Sequence, residues 1–185
     1  EIQEVNEKEL KRISNLKTPN KILVVLNVSI FPELKEVVQN DLSLYLEDIR
    51  DPGNMGTIIR TADWFGIDEI ICTKETVDIF NPNVIQSSMG SLFRIPVTYG
   101  NLREMMQKYD IPVYGALLDG ENIYEAGLPE SAIIVVGNEG NGITEEMRSC
   151  VNHSVLIPQF GEAESLNVSI ATGIILSEFK RSASL

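Results

Sequence analysis

The sequence predicts an α/β fold, a mostly parallel sheet with helices on both faces. Short runs such as Ile133–Val136 are apolar at every position, which suits a strand covered on both sides rather than one with a wet face. Strand-like and helix-like patterns then alternate along the chain, as βαβ crossovers require. In open sheets of this kind ligands bind beyond the carboxyl ends of the strands. Function is therefore to be sought in the polar loops that follow strands.

Lys8–Leu16 reads as a short charged helix, ended by the break at Thr18-Pro19. Strands are predicted at Ile22–Asn27, Ser43–Asp48, Glu69–Thr73, Phe93–Val97, Val113–Leu118, Ile133–Val136 and Val155–Ile157. Helices are predicted at Asn54–Phe65, Pro82–Ser88, Leu102–Tyr109, Thr144–Cys150 and Leu166–Arg181. In the first of the longer ones Met55, Ile58, Ile59, Ala62 and Phe65 cluster on one arc, with Arg60 nearly opposite. In the last, Val168, Ala171, Ile174, Ile175 and Phe179 form the core-like stripe. Asn54 and Ser165 are placed as the N-caps of these two helices.

The chain has 185 residues, enough for one sizeable domain with a buried core, and its mean hydropathy of +0.01 is ordinary for such a domain. Its apolar runs are too short to span a bilayer, and no secretory signal pattern opens it. Cys72 and Cys150 lie in apolar segments and read as reduced core residues of a cytoplasmic protein. A net charge of -12 argues against a broad nucleic-acid footprint but leaves room for a local basic patch. His153 is the sole histidine, so a histidine-based triad or a multi-histidine metal site is set aside. Any chemistry falls to Arg, Asp, Glu, Ser, Asn, Tyr or a cofactor, and no metal is predicted.

Three loops put polar residues at strand ends. In Leu46–Gly66 the Asp51-Pro52-Gly53 turn leads into a helix bearing Asn54 and Arg60. Taken alone, Arg60 fits a solvated helix face and Asn54 a cap. In Ile133–Thr144 a buried strand enters Gly137-Asn138-Glu139-Gly140-Asn141-Gly142. This G-x-x-G-x-G spacing differs from the dinucleotide fingerprint and lacks a phosphate-loop lysine. Glu139 would repel a phosphate, so the loop better suits an adenosine or amino-acid moiety held by backbone groups. The third loop, IPQFGEAESLNVSIATG from Ile157 to Gly173, places Glu164, Ser165 and Asn167 at the mouth of an apolar helix. Asn167 inside a first helical turn is not explained by local capping at Ser165.

Together these stretches resemble the SpoU (TrmH) family of the SPOUT superfamily, the RNA 2′-O-ribose methyltransferases. The resemblance rests on D-P-G-N-x-G-x-x-x-R (Asp51 to Arg60), V-V-G-N-E-G-x-G (Val135 to Gly142) and I-P-x-x-G-x-A-E-S-L-N-V-S-I-A-T-G (Ile157 to Gly173), in the family's order. It implies a sheet whose C-terminal segment forms a deep trefoil knot, S-adenosyl-L-methionine (SAM) as cofactor, an RNA substrate (rRNA or tRNA) and a homodimer. By residue matching, Asn54, Arg60, Glu139, Ser165 and Asn167 correspond to the family's active-site polar residues. Gly137, Ile157 and Leu166 correspond to cofactor contacts, with Leu117, Asn138 and Gly140 beside them. Gln159-Phe160 departs from the Met expected after the proline. Residues 1–40 then read as the remnant of an N-terminal substrate-recognition domain and linker, and 41–185 as the methyltransferase domain.

Methyl transfer to a ribose 2′-OH needs the hydroxyl deprotonated and aligned on the methyl. A guanidinium is a poor base, so Arg60 is expected to hold the phosphate and stabilise the developing oxyanion. Glu139 stands as an alternative proton acceptor or as a group that orients Arg60. The competing reading is a non-catalytic RNA-binding module that keeps the fold.

Overall fold

A computed structural model describes residues 2–14, 16–25, 42–108 and 110–183. The chain divides into two units, residues 1–31 and residues 32–185. In the first, α1 (Glu7–Ile13) opens with a reciprocal cap: Asn6 Oδ1 accepts from the amides of Lys8 and Glu9, and Glu9 Oε2 accepts from Asn6 N–H. The helix stops at Ser14 in extended backbone, short of the predicted Leu16. Of the predicted Ile22–Asn27 strand, residues 22–25 are irregular and unpaired in any described sheet, with Ile22 and Val25 exposed. Its last two residues lie outside the described ones.

The second unit is built on six strands: β1 (Leu42–Leu46), β2 (Glu69–Cys72), β3 (Val97–Tyr99), β4 (Val113–Asn122), β5 (Ala132–Val136) and β6 (His153–Leu156). They lie in the order β3-β2-β1-β5-β4-β6, with every pairing parallel. In the centre, Leu44 pairs with Ile70 on one side and Ile134 on the other, and all residues of β1, β2 and β5 are buried. Two-sided burial is what the uniformly apolar runs required.

The helices of this unit are α2 (Pro52–Trp64), α3 (Pro82–Ser87), α4 (Leu102–Lys108), α5 (Glu145–Arg148) and α6 (Val168–Ala183). One face of the sheet, through Tyr45, Ile71, Ile133 and Val135, packs on Leu102 and Met105 of α4 and on Cys150. The opposite face meets α6, where Phe179 contacts the Tyr114 ring edge-on at 5.2 Å. α6 in turn packs against α2, and α2 against α3. Gly56 makes the α2–α3 approach possible: a Cβ there would lie 2.6 Å from the Val84 carbonyl.

The predicted Phe93–Val97 strand is displaced. Met89 and Gly90 adopt left-handed backbone and Ser91–Phe93 forms a 3-10 turn, so β3 begins only after Pro96, whose carbonyl accepts from Ile70 N–H at 2.9 Å. The helix starts also shift. Asp51 caps α2, its Oδ1 accepting from Asn54 N–H at 2.7 Å, so Asn54 is not the cap. Asn167 caps α6, its Oδ1 accepting from Ser169 N–H at 2.9 Å, so Ser165 is not the cap either. Both corrections have one cause, since a cap must precede the first helical turn and each helix begins elsewhere than periodicity placed it.

Candidate active site

The chain leaves β1 for β2 on one side of the sheet and leaves β5 for β6 on the other, so the β1–α2 and β5–α5 loops diverge from adjacent strand ends. This is the switch point at which open α/β sheets bind ligands. The β6–α6 loop opens at the same edge, because β6 is parallel to the rest.

Three side chains, one from each loop, join into a chain of hydrogen bonds. Asn167 Nδ2 donates to Asn54 Oδ1 at 2.9 Å, and Asn54 Nδ2 donates to Glu139 Oε1 at 3.2 Å. Glu139 also accepts from the backbone amides of Asp51 at 3.2 Å and Arg50 at 3.4 Å. Because Asn167 Oδ1 is committed to the α6 amides, both asparagine amides are fixed in orientation. Glu139 thus receives three N–H donors, and Arg60 is not among them.

Arg60 lies on the outer side of α2. It is exposed and has no hydrogen-bond or ion-pair partner among the described residues, and it lines an open groove of about 1220 Å³ between α2 and α6. Thr57, Thr61 and Trp64 line the α2 wall; Ile170, Gly173 and Ile174 line the α6 wall. The other arginine there, Arg94, is engaged by Asp63 at 2.9 Å through Nε. The Arg94 guanidinium, then the Ser91 hydroxyl, holds the Asp63 carboxyl below its ordinary pKa. Ser165 is exposed and stands outside the Asn54–Glu139–Asn167 chain, without a hydrogen-bond partner among the described residues.

The Gly-rich loop is closed on itself. Asn138 and Gly142 exchange backbone hydrogen bonds, and Asn138 Oδ1 accepts from the amides of Gly140 and Asn141. Asn138 Nδ2 reaches across to the Asp48 carbonyl at 2.8 Å, where Asp48 sits at φ +53°. Gly137 is demanded by this closure, since a Cβ there would lie 2.2 Å from the Gly142 carbonyl carbon. The amides of Asn138, Gly140, Asn141 and Gly142 are bonded inside the loop, so these four donors are not open to a ligand. Apolar surface comes from the neighbouring loops. Leu117 and Ile157 are half-buried and Leu166 half-exposed, while β4 bulges between Ala116 and Glu121 and exposes Leu118.

Several residues that shape the site are not among the predicted site residues. Asp51, read there only as part of a turn, fixes the start of α2; Gln159 folds the last loop, its Nε2 donating to the Gly161 and Ala163 carbonyls at 2.7 and 2.9 Å. Buried Glu47 bonds Thr144. An acid ending an apolar strand, as in LSLYLED, is the one sequence signal that could have drawn attention to Glu47. Among the described residues no cluster of three or more His, Cys, Asp or Glu could hold a metal.

The model of the SpoU rRNA Methylase family matches residues 41–177, which include all three loops. This chain belongs to the SpoU family. SpoU relatives include the Bacillus subtilis 23S rRNA (guanosine(2553)-2′-O)-methyltransferase RlmP, 34% identical over 176 residues, 93% of this chain and 69% of RlmP. A second is the 23S rRNA (guanosine-2′-O-)-methyltransferase RlmB of Neisseria meningitidis, 36% identical over 80% of this chain and 63% of that protein. This chain therefore spans about two thirds of the length of these relatives. Among solved structures, a Porphyromonas gingivalis protein described as a TrmH-family RNA methyltransferase superposes with a TM-score of 0.84 at 44% identity, over 93% of this chain and 70% of that one. The SpoU methyltransferase AviRb of Streptomyces viridochromogenes, in complex with AdoMet, gives 0.74 at 28% identity, over 80% and 62%. The sheet and helices described above are thus the SpoU/TrmH methyltransferase fold.

Proposed function

We propose that this chain transfers a methyl group from SAM to the 2′-OH of a ribose in structured RNA, in rRNA before tRNA. Family membership and the names of the relatives support the reaction class. The observation that carries it is the hydrogen-bonded chain Asn167–Asn54–Glu139 at the switch point, which joins three loops through their side chains. Bound SAM would supply an electrophilic methyl on its sulfonium. The Gly137–Gly142 loop would hold its polar groups, through Gly137, Asn138 and Gly140, with Leu117, Ile157 and Leu166 against its apolar parts.

Arg60 carries the one positive charge in the groove that no acid neutralises among the described residues, so it is the group suited to an RNA phosphate and to the oxyanion that develops on the 2′-oxygen. Glu139 is read as the brace that sets Asn54 rather than as the proton acceptor, because its two oxygens already take three N–H donors and none of them is Arg60. Ser165, exposed on the last loop, would touch substrate, and Asn167 would orient Asn54.

The trefoil knot belongs to the same reading. It is supported by the tight crossing of Gly120 over the Val155 backbone and by the return of Asn167 to the β1–α2 loop. A homodimer is supported by the α2–α6 groove, where Trp64 (84% exposed), Met89 (69%) and Ile170 (56%) form an apolar lining that a second copy would cover. The N-terminal unit is read as the end of a substrate-recognition domain. Work on RNA in the cytoplasm is part of the reading and is supported by the rRNA methyltransferase relatives; no described helix is long and apolar enough to cross a membrane.

The test is methyl transfer from labelled SAM to an rRNA transcript, with nucleoside analysis for 2′-O-methylation and calorimetry with SAM. Arg60→Ala should lower transfer by roughly a hundredfold or more with SAM affinity unchanged. Near-normal transfer by that variant would overturn the arginine assignment. A parent protein that binds RNA but not SAM would establish the non-catalytic module instead.

A further inference from the structure

Glu47, the residue after β1, has only 6% of its surface exposed, and no step above uses it. A buried carboxylate is costly unless its oxygens are satisfied. Both of them go to one residue 97 positions away: Oε2 accepts from Thr144 N–H at 3.0 Å and Oε1 from the Thr144 hydroxyl at 2.6 Å. Thr144 Oγ1 in turn accepts from Met147 N–H and caps α5. Thr144 lies two residues beyond Gly142, which has φ +68° and packs its carbonyl carbon against Gly137. The Gly-rich loop is therefore tied at three points along the β1–α2 segment: Thr144 to Glu47, Asn138 to Asp48, and Glu139 to the amides of Arg50 and Asp51. Two of these involve residues already placed at the cofactor or the chemistry. The third involves neither.

We infer that Glu47 is a positioning residue that acts through Thr144, holding the Gly137–Gly142 loop in the shape that receives the cofactor. The inference rests on the SAM reading for its ligand but not for its geometry. A carboxylate suits the place because two donors, an N–H and an O–H, point at it; glutamine offers one acceptor and one donor. The tie fixes the far end of the loop, β5 already fixes the near end, and Asn138 secures the middle. Relaxing the far end would let the loop carbonyls drift without disturbing Arg60 or the α2–α6 groove, so cofactor affinity should move while RNA engagement does not.

The test compares Glu47→Gln, Thr144→Val and Thr144→Ser with the parent chain. SAM affinity is read by calorimetry, kcat and KM for an RNA transcript by methyl transfer, and exchange of the Gly140, Asn141 and Gly142 amides by hydrogen exchange without ligand. Glu47→Gln and Thr144→Val should each weaken SAM binding about tenfold with the RNA KM unchanged. Thr144→Ser, which keeps the hydroxyl, should restore it, and the double variant should be no weaker than either single one. Loop amides should exchange faster in Thr144→Val but not in Thr144→Ser. Unchanged SAM affinity in both disruptive variants overturns the inference, as does a parallel rise in the RNA KM. If the parent itself binds no SAM, the functional reading fails, and amide exchange alone decides: faster exchange in the valine variant upholds the tie, unchanged exchange overturns it.

Discussion

At Asn54 the backbone and side chain serve different partners. The N–H belongs to the Asp51 cap, while the amide side chain bridges Asn167 and Glu139. Replacing it by aspartate removes the donor to Glu139 and sets a second carboxylate against it at the 3.2 Å contact. Asn54→Asp should therefore lose roughly 1–3 kcal/mol in urea unfolding, in addition to losing methyl transfer. An unfolding curve superimposed on the parent's would show that the bridge carries no stability. Gly137 and Gly161 make a matched pair of tests. A Cβ on Gly137 meets loop backbone at 2.2 Å, whereas one on Gly161 meets nothing within 4 Å. Gly137→Ala should cost about 1–3 kcal/mol or more, and Gly161→Ala should stay within about 0.5 kcal/mol. Equal effects in thermal unfolding would contradict the closed-loop geometry.

At the scale of elements, α2 is anchored at both ends by aspartates. Asp51 caps its start, so Asp51→Ala should cost about 1 kcal/mol and unsettle Asn54. Asp63 ties its end to the 3-10 turn through Arg94 and Ser91. Its pKa is held down in the folded state, chiefly by Arg94. The link is therefore fully present above the unfolded carboxylate value of about 4 and is lost as pH falls through the lower folded value. The Tm difference between the parent and Asp63→Asn should be constant from about pH 7 to 5 and close below about pH 4. A difference that does not depend on pH would show the ion pair to be idle.

For the whole molecule, the apolar Trp64, Met89 and Ile170 part of the α2–α6 groove should be covered by a second copy, with Arg60 left open to RNA. Sedimentation should give a dimer for the parent and a monomer for Trp64→Glu, with methyl transfer lost as Arg60 is left without its surroundings. A dimer that survives this change would move the interface elsewhere.

The sheet was legible because strands covered on both faces must be apolar throughout, as at Ile133–Val136, and because Gly and Pro punctuate their ends. The loop motifs were legible for the same reason that they are confined: polar residues at buried strand ends stand out against apolar flanks. Element starts were less so, since Asp51 and Asn54, or Ser165 and Asn167, are equally good caps by composition. Sequence by itself determined the fold class and the three loops from which a site could be built. Only the tertiary structure decided which polar atom bonds which. Asn54 meets Glu139 across 85 positions and Asn167 across 113, and Glu47 meets Thr144 across 97. Such pairings follow from strand order, and no local propensity encodes them.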